Sequence, residues 1–197
     1  MDSLKSSETV LATVMIIIVI GCSQAAGQRG RTIKPAEQTS FGSEAPVLRP
    51  AMLPQDVLNR LARYDGGRLK KCQMDEFREK NPADHFVASR ISLNGDRLPD
   101  LLVQGRTICF MGAHNTTFWL FAQDTKRAGR YTLVFDIHAD GLALGRRRTN
   151  TFRDFEAMSH SAVQLFTSQY RFDGKKYVEY RCTVEELGSN RPRRRPC

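Results

Sequence analysis

From residue 85 onward, apolar residues recur at every second position, and this period constrains the fold more than any other feature. The segment "GRYTLVFDIHA" shows it most clearly, because Tyr131, Leu133, Phe135 and Ile137 share one face, and Thr132, Asp136 and His138 share the other. Successive strand side chains point to opposite faces, so the pattern predicts strands with one buried and one polar face. The segment "TFWLFA" is apolar on both faces, which is typical of a central strand.

Short connections between these segments predict an antiparallel meander sheet. Asn94-Gly95 and Asp173-Gly174 are predicted to be two-residue hairpin turns, the second of which would place Tyr170 opposite Tyr177. The segment "NTFRDFEAMSH" lacks the alternation, which predicts an irregular or short helical connection. The fold class predicted is therefore α+β, mainly β.

One amphipathic helix is predicted ahead of the strands, in "LPQDVLNRLARYDGG". Pro54 suits the first turn of a helix, and Val57, Leu58 and Leu61 lie on one face at helical spacing. Gly66-Gly67 supplies the stop signal. We expect this N-terminal helix to pack on the sheet.

An export leader is predicted at the N-terminus. Residues 10–20, "VLATVMIIIVI", are apolar over about half of the ~20 residues that a spanning helix needs. The following "VIGC" resembles the lipobox of bacterial lipoproteins, in which Cys22 would be acylated. Cleavage by signal peptidase after Ala25 and an uncleaved signal anchor remain alternatives. Each interpretation predicts export, and we expect a membrane-anchored lipoprotein that faces the periplasm or cell surface.

Four regions follow from composition along the chain. Residues 1–22 form the signal peptide and lipobox, and residues 23–52, rich in Gln, Ser, Gly, Pro and Arg, predict a flexible linker. Residues 53–187 form the β-rich domain. Residues 188–197 are predicted to be a basic disordered tail.

Cysteine usage agrees with export. If Cys22 is acylated, Cys72, Cys109, Cys182 and Cys197 remain, an even set that predicts disulfides in an oxidising compartment. The favoured bond joins Cys109 to either Cys72 or Cys182. Cys197 is expected to stay free in the tail.

The stretch "ISLNGDRLPDLLVQG" contains a degenerate calcium-loop pattern. Asn94, Asp96 and Asp100 occupy possible ligand positions, but Ser92 stands where the first Asp belongs and Arg97 where the Gly belongs. We therefore predict a turn with solvated carboxylates in preference to a metal site.

The same stretch resembles the Asp-x-Asn-Gly-Asp-Gly-x-Pro-Asp strand-turn motif of FG-GAP or VCBS-like bacterial envelope proteins. Together with "LPQDVLNRL", "GAHNTTFWLF" and "YRFDGKKYV", it makes residues 53–184 resemble a group of small exported bacterial proteins of uncharacterised function. The resemblance implies a β-rich domain and implies no reaction.

The chain is basic, with 30 Lys and Arg against 21 Asp and Glu and a formal charge of +9. This balance favours acidic partners. The candidate anion-binding residues are Arg146, Arg147 and Arg148, which we call the arginine run. An anionic envelope polymer or another envelope protein is the expected partner; nucleic acid is less favoured, because no recognition module is present.

A catalytic hypothesis rests on Cys109 and His114, with Asp136 or Asp140 as the orienting acid. No cysteine-hydrolase signature surrounds them, and no motif indicates a cofactor. We expect a non-enzymatic binding module. The alternative is a cell-wall-related hydrolase or an inhibitor of such a hydrolase.

Overall fold

A computed structural model describes residues 37–75, 81–127, 129–188 and 193–197, with side chains omitted for 73–75. The leader, Cys22 and the first part of the predicted linker lie outside the described residues. No helix within the described ranges has both the length and the apolar character needed to cross a membrane.

The described residues form two α-helices and eleven β-strands. The helices are α1 (Gln55–Ala62) and α2 (Arg68–Asp75). The strands, in chain order, are β1 (Ser40–Gly42), β2 (Pro50–Ala51), β3 (Phe86–Ile91), β4 (Asp100–Gly105), β5 (Thr116–Gln123), β6 (Tyr131–Ala139), β7 (Gly141–Thr149), β8 (Phe152–His160), β9 (Gln164–Phe172), β10 (Tyr177–Glu186) and β11 (Arg194–Pro196).

The strands divide into two sheets in which every pairing is antiparallel. The first sheet has the order β2-β3-β4-β5-β6, and the second has the order β1-β7-β8-β9-β10-β11. The predicted fold class, α+β and mainly β with an antiparallel meander, is confirmed. The sequence indicated one sheet, and the second sheet is a finding of the structure.

Two apolar cores lie on opposite faces of the first sheet. All residues of β5 are buried, so this strand requires a covering layer on each face. Phe118 and Leu120 pack into a core between the two sheets, with Phe155 and Leu142 of the second sheet. Trp119 lies in a second core on the other face of the first sheet.

The helices cover this second core. Val57 and Leu61 of α1 and Leu69 of α2 are buried in it, on the face of the first sheet opposite the second sheet. The prediction that an amphipathic helix packs on the sheet is therefore confirmed. α2 was not predicted, because its sequence is largely polar.

Two predictions about β8 and its neighbours are wrong. Residues 152–160 form a regular strand, whose apolar period is hidden because Arg153 is one of its buried residues. Tyr170 lies opposite Glu179, not Tyr177. The loop has four residues because the Asp173 carboxylate accepts hydrogen bonds from the backbone N–H groups of Lys175 and Lys176, both at 2.8 Å.

The predicted linker and tail are partly ordered. β1 and β2 lie within residues 37–52, where they pair with β7 and β3, so the linker prediction is wrong for this part. Arg194–Pro196 pairs with β10, and Cys197 is bonded to Cys182. The tail prediction is therefore wrong for residues 193–197, because strand pairing and a covalent bond hold them.

Candidate functional site

The arginine run lies at an irregularity between β7 and β8. Leu144 pairs with Phe155 and Arg148 pairs with Arg153, so the three residues 145–147 lie opposite Asp154 alone. Such a bulge turns successive side chains in different directions. Arg146 and Arg147 line one cavity together with the carboxylates of Asp154 and Glu156, and Arg148 does not line it, so the three arginines do not form one anion-binding surface.

Each member of the run has its own environment. Arg148 Nη1 donates hydrogen bonds to the carbonyl oxygens of Leu93, at 2.6 Å, and Thr151, at 2.8 Å. Arg147 Nε lies 3.3 Å from a carboxylate oxygen of Asp154, whose side chain is only 9% exposed. Arg146 is exposed. The anion-binding prediction is not supported for Arg148, because its guanidinium already binds the protein itself.

The degenerate calcium stretch is an eight-residue loop, 92–99, because β3 and β4 pair as far as Ile91 and Asp100. The predicted two-residue turn at Asn94-Gly95 is therefore wrong. Asn94 and Asp96 hydrogen-bond to each other, and Asp96 also accepts from the Leu98 N–H at 2.9 Å. These bonds give the loop its shape without an ion.

Asp100 is fully buried, so the prediction that it is solvated is wrong. Its two oxygens accept hydrogen bonds from the backbone N–H groups of Leu93, at 2.7 Å, and Gln123, at 2.9 Å. Burial raises the pKa of the Asp100 carboxyl above its ordinary value. Among the described residues, no group of three His, Cys, Asp or Glu side chains is arranged to hold a metal ion.

The cysteines form two disulfides. Cys109 is bonded to Cys72, one of the two partners left open by the sequence, and Cys182 is bonded to Cys197. The expectation that Cys197 is free is wrong. The nucleophile hypothesis for Cys109 is also wrong, because a sulfur in a disulfide is no thiolate.

The remaining members of the catalytic hypothesis lie apart. Asp136 accepts a hydrogen bond from the Tyr64 hydroxyl at 2.5 Å. Asp140 contacts His160 Nδ1 at 2.5 Å, and the His160 ring lies 5.4 Å from that of His114. Neither carboxylate thus orients His114 toward Cys109.

A cavity of about 550 Å³ between α1 and β6 brings together arginines from two parts of the chain. We call it the arginine groove. It is lined by the three arginines Arg60, Arg63 and Arg130, the carboxylate Asp56, and the apolar or aromatic residues Val57, Tyr64, Phe121, Tyr131 and Leu133.

Local structure explains how the arginines meet. Arg60 and Arg63 are three residues apart at the end of α1, so they lie on one side of the helix. Arg130 directly precedes β6, and its carbonyl accepts a hydrogen bond from the Asp124 N–H that closes the β5–β6 loop. Asp56 at the start of α1 accepts a 3.3 Å hydrogen bond from the Tyr131 N–H. This bond ties α1 to the start of β6.

The groove is positively charged. Asp56 is the one carboxylate among its lining residues, against three guanidinium groups. Arg63 Nε donates to the Asn59 carbonyl at 3.1 Å, whereas Arg60 and Arg130 make no side-chain ion pair or hydrogen bond within the described residues. Two guanidinium groups are thus available to an anion.

Tyr64 lines one part of the groove, and its phenol is neutral. Burial, and then its hydrogen bond to Asp136, raise the pKa of the Tyr64 phenol above its ordinary value. The edge of its ring packs on Trp119, with 5.3 Å between ring centroids. Tyr64 therefore adds no negative charge at neutral pH and joins the groove to the second core.

Few features of the sequence could have predicted this site. Arg60 and Arg63 are two ordinary polar positions on an amphipathic helix, and Arg130 lies in a loop. Only their charge, on a helix face next to apolar residues, was available as a signal. Comparisons with protein-family models, curated proteins and solved structures find no match to this chain.

Proposed function

We propose that this chain is an exported, lipid-anchored envelope protein whose β-rich domain binds an anionic ligand in the arginine groove without transforming it. The observation that carries the binding function is the groove itself, with three guanidinium groups and one carboxylate. Guanidinium groups present paired donors that match carboxylate and phosphate oxygens. An anionic envelope component is the partner that fits this chemistry.

Export is supported by two independent features. The leader carries an apolar run followed directly by Val19-Ile20-Gly21-Cys22, a pattern typical of bacterial lipoproteins. The domain carries two disulfides, which persist in oxidising compartments and are rare in the cytosol.

Membrane attachment has a direct test. Replacing Cys22 with Ala removes the acylation site, and we expect the protein to move from the membrane fraction to the soluble fraction after cell fractionation. Cys22→Ser is a second variant that removes the same thiol. If both variants stay with the membrane, attachment does not depend on acylation of Cys22.

Anion binding is tested by a double charge reversal, Arg60→Glu with Arg130→Glu. We expect its affinity for phenyl phosphate to fall by about 100-fold or more, since each charge-assisted hydrogen bond contributes about 1.5–3 kcal/mol. The affinities are measured by titration at constant ionic strength, because salt screens non-specific attraction between exposed charges and must do so equally for both proteins.

The matched control is Lys175→Glu with Lys176→Glu, which changes the net charge by the same amount at exposed positions of the β9–β10 loop. We expect this control to bind phenyl phosphate as the unmodified protein does. If the control loses as much affinity as the groove variant, the attraction belongs to the net charge and the groove is not the site.

A further inference from the structure

We infer that the arginine groove binds a small amphiphilic anion, in which one phosphate, sulfate or carboxylate group is attached to an apolar or aromatic body. This inference rests on the proposed anion-binding function. It specifies the apolar part of the ligand, which the guanidinium groups do not bind.

The floor of the groove is apolar. Val57 and Phe121 form its base and belong to the second core, but at 1% and 0% exposure they offer almost no surface to a ligand. Leu133 of β6 and the ring of Tyr131 are half-buried beside them. This part of the wall offers contact to carbon atoms and few hydrogen-bonding groups.

The charges lie at the mouth of the same groove. Arg60, Arg63 and Arg130 are all exposed, in contrast to the buried floor. A ligand that inserts an apolar body would therefore leave its anionic group among the guanidinium groups. Long arginine side chains can reach such a group while their stems cover the apolar body.

The separation of charge from apolar surface disfavours two simpler ligands. A small inorganic anion would bind at the mouth and leave the exposed parts of Leu133 and Tyr131 in contact with water. A strongly hydrated polymer would do the same along its length. The volume of about 550 Å³ falls within the range of small-molecule pockets, which extends from about 300 to 1,000 Å³.

The protein contains its own reporter of this site. Trp119 is its single tryptophan and is fully buried, and it packs against the Tyr64 ring that lines the groove. A ligand that moves Tyr64 changes the surroundings of the indole. Fluorescence of Trp119 therefore follows occupancy of the groove.

The experiment compares three probes on the full chain: phenyl phosphate, inorganic phosphate and benzyl alcohol. We expect phenyl phosphate to bind at least about tenfold more tightly than inorganic phosphate, because it adds burial of the ring. Benzyl alcohol, which lacks the anion, should bind at least tenfold more weakly than phenyl phosphate. Calorimetric titration confirms the affinities independently of fluorescence.

A floor variant tests the apolar contact. Leu133→Ala should lower the affinity for phenyl phosphate about fivefold and leave inorganic phosphate unchanged, whereas Leu165→Ala, a half-buried residue of β9, should change neither. If Leu133→Ala fails to fold, as judged by circular dichroism, the affinities of the unmodified protein for phenyl phosphate and inorganic phosphate still test the apolar contact.

The possible failures are distinguishable. Equal affinities for phenyl phosphate and inorganic phosphate, both abolished by the Arg60→Glu, Arg130→Glu variant, would overturn the amphiphilic ligand and leave anion binding intact. Absence of binding by either anion would overturn both. Binding of phenyl phosphate that survives the double variant would also overturn both, because it would lie outside the groove.

Two sources can supply this chemistry, a lipid and a soluble metabolite. Sedimentation of the Cys22→Ala protein with phosphatidylglycerol vesicles, reversed by soluble hexyl phosphate, would support a lipid in the groove. Binding of hexyl phosphate without sedimentation would support a soluble amphiphile.

Discussion

The arginine run and the arginine groove each contain three arginines, but the groups around these arginines differ. The three arginines of the run are consecutive, yet Arg148 binds backbone carbonyls, and Arg146 and Arg147 line a cavity with the carboxylates of Asp154 and Glu156. The three arginines of the groove come from α1 and from the loop before β6, and they line one cavity with a single carboxylate, Asp56. The difference shows that adjacency along a strand does not concentrate unneutralised charge, whereas packing a helix against a sheet edge can.

The two regions also differ in what their guanidinium groups contact. At the run, Arg148 and the nearby Arg153 fasten the 92–99 loop and the N-terminal segment to the second sheet. At the groove, the side chains of Arg60 and Arg130 make no ion pair or hydrogen bond within the described residues. Arginines at the run should therefore matter for stability, and those at the groove for binding.

The largest expected effect is that of Arg153→Ala. Arg153 is buried, forms a 2.7 Å ion pair with Glu37 and donates to the Gly145 carbonyl at 2.8 Å. Removing it takes one donor from that carbonyl and leaves the Glu37 carboxylate with the Ser92 N–H alone, and we expect a loss of about 3 kcal/mol of unfolding free energy. Denaturant titration monitored by Trp119 fluorescence measures the loss. Arg181→Ala, at an exposed position of β10, is the control, and an equal effect there would contradict the structural role of Arg153.

An intermediate effect is expected for Arg148→Ala. Its Nη1 holds the carbonyl oxygens of Leu93 and Thr151, and its guanidinium lies against Gly95. Because Arg148 is exposed and water can replace part of these bonds, we expect a loss of about 1–2 kcal/mol. Arg148→Lys should recover only part of it, since an ammonium lacks the planar donor geometry. Full recovery by Lys would show that charge alone is needed.

The smallest effect on stability is expected at the groove. Arg60→Ala and Arg130→Ala should each change the unfolding free energy by less than about 0.5 kcal/mol, as exposed residues without partners usually do. The same denaturant titration checks this. A loss above about 1 kcal/mol would show that these arginines support the packing of α1, and the comparison between the two regions would fail.

The sequence predicted the elements better than their assembly. The alternation in β6, the apolar run within β5 and the amphipathic α1 were all recognisable, because such patterns depend only on local backbone geometry. β8 was missed because Arg153 occupies a buried position where an apolar residue was expected. The register of β9 and β10 was missed because Asp173 closes a longer loop than Asp-Gly alone indicates.

The candidate site was less predictable than the fold. The arginine run was conspicuous because its members are adjacent, but Arg148 binds backbone carbonyls, and carboxylates of β8 lie beside Arg146 and Arg147. Asp100 was taken for a solvated residue, although the structure buries it to hold two backbone N–H groups. Predicting either outcome requires knowing which backbone groups of the fold lack a backbone hydrogen-bond partner.

By itself, the sequence determined that residues 85–186 are built mainly of antiparallel strands with one helix ahead of them, since hydrophobic period and turn residues act over a few positions. Only the tertiary structure decided the division into two sheets, the pairing of Cys109 with Cys72, and the meeting of Arg60 and Arg63 with Arg130. These features depend on bulges, registers and contacts between distant residues, and a single inserted residue in a strand reverses which face every later side chain occupies.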